Sequence, residues 1–144
     1  MTVLRKLLAM PAEERRLLTQ ALWLNLQART LLALWPIDRL RAWAGRLGTG
    51  GADAEHLIRA GRAASRRLPF ATCLSSALAL QRHLGQNGHA CELHIGVARE
   101  NGAIVAHAWI ERNGTVVLGE EEQTQYTRLL TWPAGGRAGD MTRG

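Results

Sequence analysis

Asn113-Gly114 constrains this chain more than any other pair, because it lies between two stretches of alternating residues, 104–112 and 115–118. A type I′ turn needs positive φ at both central positions, and Asn-Gly meets that need at low cost. The two stretches are therefore predicted to form an antiparallel hairpin. Alternation places Val105, His107, Trp109 and Glu111 on one face and Ile104, Ala106, Ala108 and Ile110 on the other. With a two-residue loop, Arg112 faces Thr115, Ile110 faces Val117 and His107 faces Glu120. A bulged or longer loop moves the pairing by one residue and brings in Glu121. A further strand over 90–99 precedes the hairpin, joined through Glu100-Asn101-Gly102.

Upstream of these strands, Leu74, Ala77, Leu78 and Leu84 recur at helical spacing within 73–84, directly after Thr72, a good N-cap residue. Cys73 then falls in the first helical turn, where unpaired N–H groups and the positive end of the helix dipole favour a thiolate. An ordinary thiol ionises near ~8.5, and bringing it to ~5 needs about 5 kcal/mol of preferential anion stabilisation, more than a helix end supplies. A nearby imidazolium can add the rest, and His107 is the candidate. Cys73 is thus read as a nucleophile, His107 as its base, and Glu120 as the carboxylate that orients the ring. The competing readings are a buried thiol, a core histidine and a solvated acidic turn.

The segments Leu68-Pro69-Phe70, Cys73-Leu74, Ala77-Leu78-Ala79-Leu80-Gln81, Ile95-Gly96-Val97 and Ala106-His107-Ala108-Trp109-Ile110-Glu111 resemble the B proteins of lasso-peptide biosynthesis. The leucine- and arginine-rich N-terminus is similar to their stand-alone form. The resemblance implies an α+β fold, with a helical N-terminal subdomain packed on a papain- or transglutaminase-like core. It also implies a cysteine peptidase that removes the leader from a ribosomally made precursor, with Cys73 as nucleophile and His107 as general base; the cytoplasmic location expected of the chain comes from its cysteine usage. Many relatives carry an aspartate just after the hairpin, where this chain has Leu118-Gly119 before Glu120-Glu121-Glu122. The partners implied are the precursor peptide, a separate small leader-recognition protein and a cyclase resembling asparagine synthetase. Acyl transfer to an amine, and a non-catalytic adaptor acting through the N-terminal helices, are the alternatives.

The 144 residues, 47% hydrophobic and 21% charged, suit one domain with a substantial core, and two cysteines outside any C-x-x-C pattern favour a reducing compartment. The net charge of +6 is almost wholly arginine. Its cluster over 59–67 lacks interleaved aromatics and is a poor nucleic-acid signal. A long helix is expected from Pro11 to Trp35, lined by Leu17, Leu18, Ala21, Leu24, Ala28, Leu31 and Leu32, and a short one over 37–43. Polar residues make the long helix a poor membrane span, so membrane association is the weaker alternative. Trp23, Trp35 and Trp43 are expected to pack on the core. A helix starts at Asp53, after the flexible run Gly48-Thr49-Gly50-Gly51. The resulting divisions are a helical subdomain over 1–48, a linker over 49–54, a catalytic core over 55–132 and a flexible tail over 133–144. No cofactor is expected. Metal binding by Cys91, His94 and His89 is disfavoured because Cys91 and His94 point to opposite faces of a strand.

Overall fold

The computed structural model describes residues 5, 8–69, 71–119, 127–134 and 142–143. Its helices are α1 (Ala12–Leu34), α2 (Ile37–Gly45), α3 (Ala54–Arg67) and α4 (Cys73–Gln86). The strands are β1 (Glu92–Glu100), β2 (Ala103–Arg112), β3 (Thr115–Leu118), β4 (Thr127–Pro133) and β5 (Thr142–Arg143). They form one antiparallel sheet in the order β3-β2-β1-β4-β5, so the fold is α+β.

Helix α4 is the centre of the molecule. It is buried almost without interruption from Ser75 to Gly85, as befits a helix with apolar or small residues on every side. It packs against α1, α2 and α3 on one side and β2 on the other. Leu78 and Leu80 join Leu17, Leu57, Leu93 and Ile110 in one core, where each fully buried leucine contributes roughly 1.5–3 kcal/mol. At Gly61 a Cβ would lie 2.9 Å from Leu80 Cδ1, so the missing side chain eases the close approach of α3 to α4. Gln81, also buried, donates to the Trp132 carbonyl at 2.9 Å and ties the helix to β4.

The glycine run expected to be flexible is hydrogen-bonded to the end of α4. Gly48 N–H donates to the Gly85 carbonyl at 2.7 Å, Gly50 N–H to Gln86 at 2.8 Å, and Ala52 N–H to Asn87 Oδ1 at 3.0 Å. The first two bonds go to carbonyls of the helix terminus, which have no partner further along the helix. His89 closes the same corner, its Nε2 lying 2.8 Å from the Ala52 carbonyl oxygen.

Leu17, Leu18, Ala21, Leu24 and Ala28 of α1 are buried as expected, but Trp23 is 58% exposed and Leu34 71% exposed on its outer side. Trp43 packs against the core as expected, and Trp35 and Trp43 also lie under guanidinium groups, Arg39 at 4.4 Å and Arg82 at 4.6 Å from the ring centres. Strand β4 was not foreseen from sequence, and β5 falls in a stretch assigned no element there. Among the described residues no helix is long and apolar enough to cross a membrane.

Candidate active site

The start of α4 is fixed by a reciprocal capping box. Ser75 N–H donates to Thr72 Oγ1 at 3.1 Å and Thr72 N–H donates to Ser75 Oγ at 2.9 Å, while Ser76 N–H closes on the Thr72 carbonyl at 3.0 Å. Cys73 follows the cap as the first helical residue, with its side chain exposed. The N–H groups of Cys73 and Leu74 precede the first donor that a helix can pair internally.

The hairpin forms with Asn113 at φ 53° and Gly114 at φ 79°, the left-handed pair required of a type I′ turn. Arg112 pairs with Thr115 as expected, but Ile110 pairs with Leu118 rather than Val117. A bulge between Ile110 and Glu111 inserts one residue into β3, which shifts the count used to oppose His107 and Glu120. Glu120 itself, with Glu121, lies outside the described residues.

Ala108 and Ile110 face the helices and join the core, so His107, Trp109 and Glu111 occupy the other face of β2. Strand β3 ends at Leu118, and beside that end a cleft of about 240 Å³ opens. It is lined by Cys73, Ser76, His107, Leu118 and Gly119, with Arg62, Ser65 and Arg66 of α3 forming the opposite wall. Ser65 Oγ and Ser76 Oγ are hydrogen-bonded at 2.8 Å, which joins the two helices beneath the thiol. A helix-start thiol and an imidazole in one solvent-open cleft can carry out nucleophilic acyl chemistry, the thiol attacking and the ring moving a proton.

Two glycines make this arrangement sterically possible. Gly119 has φ +83°, and a Cβ there would sit 3.0 Å from Trp109 Cβ and 3.1 Å from His107 Nε2. Gly96, directly across from His107 on β1, leaves room for the Trp109 ring, whose nearest atom would be 2.9 Å from a Cβ. Trp109 stacks on His107 with ring centres 6.2 Å apart and on His94 at 5.6 Å, forming a three-ring column under the sheet. Arg62, Arg66, Ser65 and Gly119 escaped sequence reasoning. The Arg59–Arg67 cluster was visible there, but its position beside Cys73 is a product of helix packing.

The other cysteine is chemically different. Burial pushes the Cys91 thiol up to about 12, with the Arg112 charge opposing that shift, so Cys91 is a neutral core residue at ordinary pH. Cys91, His89 and His94 do not converge: His89 meets Ala52, and His94 lies on the far face of β1 with its Nδ1 2.9 Å from Thr131 Oγ1. Burial holds the His94 imidazole below its ordinary range, with Glu111 pulling the other way.

An α+β domain with a cysteine at the start of its central helix and a histidine on the adjoining antiparallel sheet has the framework of the papain- and transglutaminase-related folds. The description of the transglutaminase-like superfamily matches residues 17–131, and the chain belongs to that family, whose members are in general cysteine-dependent enzymes. No curated protein and no solved structure matches the chain.

Proposed function

We propose that this chain is a cysteine peptidase that removes the leader from a ribosomally made lasso-peptide precursor in the cytoplasm. The observation that carries the catalytic part is the cleft shared by exposed Cys73 and His107, side chains from different elements that the fold brings to one opening. The substrate class rests on the resemblance of the segments around Cys73 and His107. In the proposed reaction His107 accepts the Cys73 thiol proton as Sγ attacks the scissile carbonyl. The N–H groups at the start of α4 stabilise the oxyanion. Collapse of the tetrahedral intermediate breaks the C–N bond, His107 returns the proton to the leaving amine, and water hydrolyses the thioester. A carboxylate from Glu120 or Glu121 would orient the imidazole.

The exposed Trp23, Leu26 and Leu34 along α1 support a docking role for the N-terminal helices, toward a small leader-recognition protein and an asparagine-synthetase-like cyclase. Family membership also keeps open a related reading, acyl transfer to an amine, which differs only in the second nucleophile. The test is incubation of the protein with precursor peptide and partner protein, followed by mass spectrometry. Free leader acid and free core amine are expected from wild type and Cys91→Ala, with none from folded Cys73→Ala. An amide-linked product would instead assign transfer, and cleavage by Cys73→Ala at the wild-type rate would refute the proposal.

A further inference from the structure

On the face of the sheet away from the helices, Glu92 and His94 of β1 meet Glu111 of β2 across the directly paired positions Glu92–Glu111 and His94–Trp109. His94 Nε2 lies 3.5 Å from Glu111 Oε2 and 3.9 Å from Glu92 Oε1, and one ligand atom from each of the three residues falls within 4.8 Å of the others. His94 is only 2% exposed, and its Nε2 makes no hydrogen bond among the described residues. At 3.5 Å the approach to Glu111 is too long for one. The other ring nitrogen is occupied by the Thr131 hydroxyl at 2.9 Å. In the tautomer that carries its hydrogen on Nδ1, which the Thr131 hydroxyl can accept, Nε2 turns a lone pair toward the two carboxylates. Three electron-rich atoms then converge on one point, an arrangement that is repulsive without a positive charge between them.

We propose that Glu92, His94 and Glu111 form a binding site for a divalent transition-metal ion of the zinc type. The spacing fits. Ligands about 2.1 Å from a tetrahedral zinc stand roughly 3.4 Å apart; the His94 separations of 3.5 Å and 3.9 Å lie near this, and the widest in the set, within 4.8 Å, closes by rotation of the half-exposed Glu92 side chain. One imidazole and two carboxylates suit a borderline cation better than magnesium or calcium, which prefer all-oxygen sets. Outer contacts that hold metal ligands in place are also built in. Thr131 Oγ1, 2.9 Å from Nδ1, holds the orientation of the His94 ring, and Trp109 Nε1 donates to Glu111 Oε2 at 3.0 Å. Glu92 is half-exposed and opens the site to solvent beside a shallow cleft lined by Glu92, Glu111, Asn113 and Pro133. An ion there would clip β1 to β2 and brace Trp109, the ring against which His107 stacks.

The experiment uses the full chain carrying Cys73→Ala, which removes the one exposed thiol among the described residues as a competing zinc ligand. Equilibrium dialysis against micromolar zinc, with metal content read by mass spectrometry, is expected to give one ion per chain and a raised melting temperature. Adding His94→Gln or Glu111→Gln should weaken binding at least tenfold and abolish the melting shift, and Glu92→Gln should weaken it less. Glu111→Gln keeps an oxygen acceptor for Trp109, so its metal-free melting temperature should match the parent. No stoichiometric zinc on the Cys73→Ala protein, or undiminished binding by the Glu111→Gln and Glu92→Gln variants, would overturn the proposal. Since Cys73 is absent throughout, neither result depends on the peptidase reading.

Discussion

Substituting Gly119 by alanine tests whether the edge of β2 is held as tightly as its geometry indicates. Two costs add at this position. A non-glycine residue at φ +83° costs about 1–2 kcal/mol, and a methyl group forced to 3.0 Å from Trp109 Cβ and 3.1 Å from His107 Nε2 costs about 1–3 kcal/mol more in overpacking. Gly114 provides the control, with φ +79° and nothing within 4 Å of its would-be Cβ, so Gly114→Ala incurs only the backbone cost. Urea denaturation of both variants should therefore separate them by about 1–3 kcal/mol, with Gly119→Ala the less stable. The contact with His107 has a second consequence. The displaced ring should slow precursor cleavage by Gly119→Ala beyond its effect on the folded fraction, whereas Gly114→Ala should cleave normally once folded. Equal destabilisation by the two alanines, with equal cleavage rates per folded molecule, would refute the packing argument at this edge.

His107→Ala should slow alkylation of Cys73 by iodoacetamide at mildly acidic pH, because the thiol loses its proton acceptor; an unchanged rate profile would make His107 a packing residue only. Of Glu120→Gln and Glu121→Gln, the one that removes the orienting carboxylate should lower single-turnover cleavage about tenfold, near 1.4 kcal/mol, whereas wild-type rates in both would leave a Cys-His dyad. His83 gives a pH prediction: burial, aided by the Arg16 charge, lowers its imidazole to about 4 from an ordinary 6.5. The unfolded chain then binds the extra proton first, so stability is intact above pH ~6.5 and falls as pH drops toward 4, by on the order of 3 kcal/mol. Calorimetric melts from pH 7 to 4.5 should show this loss and a smaller one in His83→Gln, which keeps a polar partner for Gln20; identical slopes would remove His83 as the cause.

Local signals in the sequence were enough to define the helices, the hairpin and the two residues proposed for catalysis. Thr72 before an apolar helical repeat marks the cap, Asn113-Gly114 marks the turn, and the period-two pattern of β2 separates His107, Trp109 and Glu111 from the core-facing Ala108 and Ile110. Each of these depends on the backbone preferences of neighbouring residues, which are carried by the sequence itself. What lay beyond the sequence depends on partners distant along the chain. The bulge that moves Leu118 opposite Ile110 is decided by how β3 settles on β2 and the core, and no turn rule contains it. Strand β4 has exposed residues at its start and buried ones at its end, and it is a strand because β1 supplies its hydrogen bonds. The wall of the cleft formed by Arg62 and Arg66 depends on how α3 packs on α4, an approach that Gly61 eases. The meeting of Glu92, His94 and Glu111 likewise needs the β1–β2 register, which places side chains separated in sequence on one face and within reach of one ion.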